Sequence, residues 1–141
     1  MKMKRIVAAI LIIITALSIL SISGCLGETK PVTIILKNST EYELEKVIFQ
    51  IPPTYGSYSP MYYLLNPEDE SLKSNEEREF IIYMYENDFG NQGWALIFVK
   101  DNETEYTSNV FNIEGKEKNR FDITCDEEMK FTVTAVTAIK E

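Results

Sequence analysis

The sequence predicts an all-β protein, a single antiparallel β-sandwich preceded by an N-terminal signal or anchor helix. Three observations carry that expectation. From residue 31 onward, short runs rich in Val, Ile, Phe, Tyr and Thr alternate with turn residues, and no helical period of useful length interrupts them. About seven such runs follow one another with no crossover helices between them, which favours antiparallel layers. The chain has 141 residues, 45% of them apolar and 26% charged, enough for one domain with one core.

Residues 32–37 read as the first strand, and Asn38, Ser39 and Thr40 as the turn into a second at 44–51, so the two are expected to form a hairpin. In the second strand Val47, Phe49 and Ile51 share a face. Pro52 and Pro53 end it, because neither can donate to a strand ladder. Residues 52–63 read as an irregular loop, with Leu64 and Leu65 behind it to plug the core. A strand at 79–85 follows, and Gly90, Asn91, Gln92 and Gly93 turn the chain into another at 94–100, whose Trp94, Leu96 and Phe98 are expected on the core side. Asp101, Asn102 and Glu103 turn into a strand at 104–113, and residues 115–119 turn again. The last pair is the clearest: Phe121, Ile123 and Cys125 point one way, Asp126, Glu127 and Glu128 reverse the chain, and Phe131, Val133 and Ala135 continue the apolar face. Strands at this spacing favour an immunoglobulin-like sandwich, with an open β-barrel as the other topology. The arrangement is loosely similar to small extracellular β-sandwich domains of prokaryotic lipoproteins. The Cys, Trp, Cys pattern of antibody domains is missing.

The first 24 residues read as a signal peptide or an uncleaved membrane anchor. Lys2, Lys4 and Arg5 precede an apolar stretch from Ile6 to Leu20 broken only by Thr15 and Ser18, an order that holds the N-terminus on the cytoplasmic side while the run enters the translocon. Ile22, Ser23, Gly24 and Cys25 then place an aliphatic residue and two small ones before a cysteine. This run resembles the lipobox of prokaryotic membrane lipoproteins. The resemblance implies diacylglyceryl transfer to the Cys25 sulfur, cleavage after Gly24, and a short tether over residues 25–30. An uncleaved helix remains the alternative, since the apolar run is near the lower limit for spanning a bilayer. Either way residues 31–141 are expected on the extracytoplasmic side of the cell membrane. A composition rich in Ile, Lys and Glu, with only Gln50 and Gln92 as glutamines, is similar to that of archaeal or thermophilic prokaryotic proteins.

All 22 acidic residues lie after position 25, against 11 basic ones there, a formal net charge of −11. No Lys/Arg stripe exists to release counterions from phosphates, so nucleic acid is not expected as a partner. The absence of histidine removes imidazole general-base chemistry, Ser-His or Cys-His nucleophiles and His-ligated metal. The expected activity is binding or structural, without catalysis, cofactor or metal. A carboxylate- or metal-dependent envelope enzyme is the competing class.

Tyr55, Tyr58, Tyr62 and Tyr63, with three prolines in the same twelve residues, are the candidate contact residues for an envelope protein or a glycan. A phenol offers a flat apolar face with a hydroxyl at its rim, and proline lowers the entropy lost on ordering the loop. The same rings could instead cover the end of the sandwich. Trp94 with Tyr83, Tyr85 and Phe89 could form an aromatic platform, although a lone Trp on a sandwich strand is expected in the core. The acidic groups Glu68 to Glu70, Asp101 to Glu103 and Asp126 to Glu128 lack the spacing of a calcium loop and read as solvated turns. Cys125 is expected as a small buried hydrophobe. Asn38 and Asn102 begin acceptor sequons on expected surface turns and are glycosylation candidates.

Overall fold

The computed structural model describes residues 27–52 and 59–137. Cys25, the segment before it, Tyr55 and Tyr58 lie outside the described residues. Those described form eight strands: β1 (Thr29–Asn38), β2 (Leu44–Gln50), β3 (Met61–Leu65), β4 (Glu77–Tyr85), β5 (Gln92–Val99), β6 (Glu105–Asn112), β7 (Lys118–Cys125) and β8 (Phe131–Ala135). One turn of 3-10 helix, Glu86–Asp88, joins β4 to β5. The strands make two four-stranded sheets, ordered β4-β1-β7-β8 and β3-β2-β5-β6. Between the sheets the rings of Phe49, Phe111 and Phe121 meet at centroid distances of 4.8, 5.3 and 5.5 Å, and Ile34, Leu36, Leu44, Ile97 and Val133 close around them.

Two expectations about pairing are corrected. β1 and β2 are consecutive but do not form a hairpin: β1 pairs with β4 and β7, and β2 with β3 and β5. The reason lies in Asn38. Its side chain donates to the carbonyls of Tyr42 and Leu72 at 2.8 and 3.0 Å and accepts from the Thr40 amide and hydroxyl, so the turn carries the chain across to the facing sheet. The sandwich is also not purely antiparallel, because β1 runs parallel to β7, with Leu36 opposite Phe121. A further strand, β3, takes in the last three residues of the segment expected as loop together with Leu64 and Leu65, and pairs with β2.

The two seams where sheet edges meet are closed by side chains. Asn109 on β6 accepts from the Val133 amide at 2.7 Å and donates to the Val133 carbonyl at 3.1 Å, so its carboxamide stands in for a neighbouring strand on edge strand β8. On the other side the Tyr62 hydroxyl of β3 accepts from the Tyr85 amide of β4 at 3.3 Å and donates to buried Asp88. Each contact satisfies edge groups that would otherwise be open to another chain.

Candidate functional site: the outer face of the β3-β2-β5-β6 sheet

β5 is apolar on both faces. Trp94, Ala95, Leu96, Ile97, Phe98 and Val99 follow without a polar residue, so alternation alone does not say which set faces inward. Ala95, Ile97 and Val99 are buried in the core, while Trp94, Leu96 and Phe98 lie on the outer face, half-buried. This overturns the core placement expected for Trp94. The small inward residue Ala95 pairs with Phe49 and leaves room for the three phenylalanine rings in the gap, whereas Trp94 at an inward position would overfill it.

The cross-strand register sets the outward residues in three rows. Met61, Gln50, Trp94 and Val110 form the first, Tyr63, Ile48, Leu96 and Thr107 the second, and Lys46, Phe98 and Glu105 the third. A bulge between Leu44 and Lys46 on β2 and another opposite Ala95 on β6 bring these residues into line. Ile48 is 3% exposed although it stands on the outer face, because neighbouring side chains cover it. At the rim Met61, Tyr63 and Val110 are 44%, 50% and 58% exposed. The Lys46 ammonium lies 4.7 Å from the Phe98 ring centre and 5.7 Å from that of Tyr63, so it bridges two rings and places a cation over the apolar surface. From strand spacing and rise the patch measures roughly 14 Å by 14 Å. Gly93 leads into it. A Cβ there would come within 2.5 Å of Ile51 Cδ1 and 2.9 Å of the Gln50 carbonyl oxygen, so only glycine lets β5 approach β2 this closely.

Of the tyrosines expected to make contacts, Tyr62 and Tyr63 are described and they part company. Tyr63 belongs to the outer face. Tyr62 is 8% exposed and is corrected to a core residue, since strand alternation turns it inward opposite Phe49. Burial, with the Asp88 hydrogen bond next in weight, holds its phenol well above the ordinary range. The aromatic platform does not assemble as expected: Tyr83 and Tyr85 are on the outer face of the other sheet, and Phe89 packs against the core. Asn38 is corrected as a glycosylation candidate, because its nitrogen is enclosed and already donates two hydrogen bonds. Asn102 is exposed on its turn, with Nδ2 2.6 Å from the Tyr106 hydroxyl. Cys125 is half-buried rather than buried. Burial, followed by the nearby Asp126 and Glu41 charges, raises its thiol pKa and disfavours the thiolate.

The acidic turns serve the backbone. Asp126 accepts from the amides of Glu128 and Lys130 at 3.0 and 2.9 Å, and Asp69 accepts from that of Asn66 at 3.0 Å. A shallow groove of about 410 Å³ brings Glu43, Glu45, Asp69 and Glu70 together with Lys73 and Lys100. Ser71 and Lys100 both bond Glu43, and the Ser71 hydroxyl, the larger influence, keeps its carboxyl below the usual range. Among the described residues no three acidic or cysteine side chains stand together as a metal site. Glu43, bonded by Ser71 and Lys100 and lowered in pKa, is therefore not a carboxyl held protonated for proton transfer.

No protein-family model matches the chain, and no curated protein matches it. Among solved structures it is similar to the NMR structure of a protein from Eubacterium rectale, with 16% identity and a TM-score of 0.48 over 81% of this chain and 94% of that one.

Proposed function

We propose that this protein is a lipid-anchored binding protein of the extracytoplasmic cell surface, an immunoglobulin-like sandwich that meets another envelope protein through the outer face of its β3-β2-β5-β6 sheet. The observation that carries the reading is the half-buried Trp94, Leu96 and Phe98 stripe flanked by exposed Met61, Tyr63 and Val110. Aromatic and aliphatic side chains held rigid on strands, with a polar rim of Gln50, Thr107 and Glu105, match the centre of a protein interface. A glycan face would need more donors and acceptors than these rows carry. The anchor rests on the lipobox-like run ending at Cys25 and the apolar segment before it.

Crosslinking of the anchored protein in its native membrane, followed by capture, tests the binding face. Trp94→Ala with Phe98→Ala is expected to weaken recovery of the crosslinked partner by at least ~30-fold, since truncating even one central aromatic hot spot costs about 2 kcal/mol or more. Recovery equal to that of the wild type would overturn this assignment. Intact-mass measurement tests the anchor separately: an acyl adduct on Cys25 and loss of residues 1–24 are expected, and an unmodified chain retaining residue 1 would remove it.

A further inference from the structure

A second apolar surface lies on the opposite side of the sandwich. On the outer face of β4, Ile81 and Tyr83 are each 65% exposed and Tyr85 is 37% exposed. Register places Tyr83 beside Pro31 and Ile81 beside Thr33 on β1, so these side chains form one patch with no carboxylate inside it. Lys118 and Arg120 of β7 stand beside Thr33 and Ile35 and pair with Glu79 at 4.0 Å and Glu77 at 3.2 Å, so the far side of the patch is bordered by charge-balanced ion pairs. The first described residues are tied to its rim: the Glu28 carbonyl accepts from the Glu86 amide at 3.2 Å, Lys30 pairs with Glu86, and a Cβ on Gly27 would sit 3.7 Å from the Tyr85 ring.

This patch begins where the chain leaves for the membrane. Tyr85 is opposite Thr29, four positions after Cys25, and four residues span at most about 14 Å. A tether that short keeps the domain against the lipid surface. Of the two apolar faces, the one at the tethered end reaches the bilayer first. Tyrosines suit the headgroup level, where the ring is shielded and the hydroxyl stays wet.

We infer that the outer face of β1 and β4 lies down on the bilayer, with Ile81, Tyr83 and Tyr85 in the interfacial layer, which turns the Trp94 face away from the membrane toward its partner. The inference rests on the anchored reading proposed above. It fixes the orientation of the domain and explains why both outer faces carry exposed apolar side chains.

Trp94, the single tryptophan, is a built-in reference on the far side. The full chain with its native anchor is placed in phosphatidylcholine vesicles whose acyl chains are plain or brominated, and tryptophan emission is compared. Wild-type emission is expected to be the same in both. Tyr83→Trp, and independently Ile81→Trp, is expected to lose roughly half of its emission in brominated vesicles, because one of its two indoles would sit at the lipid interface. Both sites are solvent-facing, so neither substitution threatens folding. Quenching of wild-type Trp94, or unquenched emission from both variants, would overturn the orientation. Intact mass on the same sample separates the two readings: an acylated Cys25 with unquenched variants sinks the orientation alone, whereas quenched variants on an unacylated, helix-anchored chain support the orientation and remove the lipid.

Discussion

Tyr62 and Tyr63 are adjacent in the chain and have opposite roles. Nothing in the residue type separates them; the pleat of β3 does, turning one phenol to Asp88 and the other to solvent beside Lys46. Tyr62→Phe leaves a buried carboxylate and the Tyr85 amide short of a partner, and should cost about 1–3 kcal/mol in chemical denaturation, whereas Tyr63→Phe should cost nearly nothing. The raised Tyr62 pKa has a direction in pH. Below the ordinary phenol value of 10.0 the group is neutral in both folded and unfolded chains and its contribution is whole. Above that value the unfolded chain ionises first, so stability falls as pH rises further. Denaturation midpoints from pH 8 upward should drop for the wild type and flatten for Tyr62→Phe. Asn38 teaches the same lesson at another position. Its sequon is legible in the chain, but the five-atom carboxamide that satisfies Tyr42, Thr40 and Leu72 is visible only once residues 34 positions apart have met.

At the scale of elements, strand existence was legible and strand facing was not always so. β7 and β8 alternate cleanly, and Phe121, Ile123, Phe131 and Val133 are buried as their pattern implies, although Cys125 is half-buried and Ala135 exposed at the strand ends. β5 reads as one apolar run, and its inward face was decided by volume, the three core rings leaving space for Ala95 but not for Trp94. β3 was hidden because Pro52, Pro53 and Pro60 around it read as loop, although a proline outside the ladder does not prevent an edge strand from following. The seams give an element-level prediction. Asn109→Ala removes both bonds to Val133 and should destabilise by about 1–3 kcal/mol, with the Val133 amide exchanging hydrogen faster than those of β7. Unchanged protection at Val133 would show that Asn109 does not hold the edge.

The whole molecule is an acidic sandwich with an apolar surface on each outer face and charged turns at its ends. Its carboxylates couple stability to pH. The Ser71 hydroxyl holds Glu43 below the ordinary 4.5. For Glu76 burial acts upward but is outweighed by the Lys73 amide and Arg78, so its carboxyl is also lowered from 4.5. A lowered folded pKa contributes stability above the unfolded value and loses it as pH falls through the folded one. The thermal midpoint should therefore hold from pH 7 down to about 4.5 and fall below it. Glu76→Gln should make that fall shallower; an unaltered acid limb would sever these groups from stability.

The chain alone determined that this is an all-β body, because repeated β-branched and aromatic runs admit no other way to bury themselves, and it determined that imidazole chemistry is absent. It also carries the basic and apolar run before Cys25 on which the proposed anchor rests. What only the tertiary structure decided is which strands are neighbours and which faces are outward. Pairing β1 with β7 joins residues some 85 positions apart, as Thr33 with Lys118 does, and no turn chemistry near either strand encodes that choice. It is set by two sheets finding the one packing in which Phe49, Phe111 and Phe121 share a gap. The same packing leaves Trp94, Leu96 and Phe98 outside, and so the candidate site exists only as a consequence of how the core is filled.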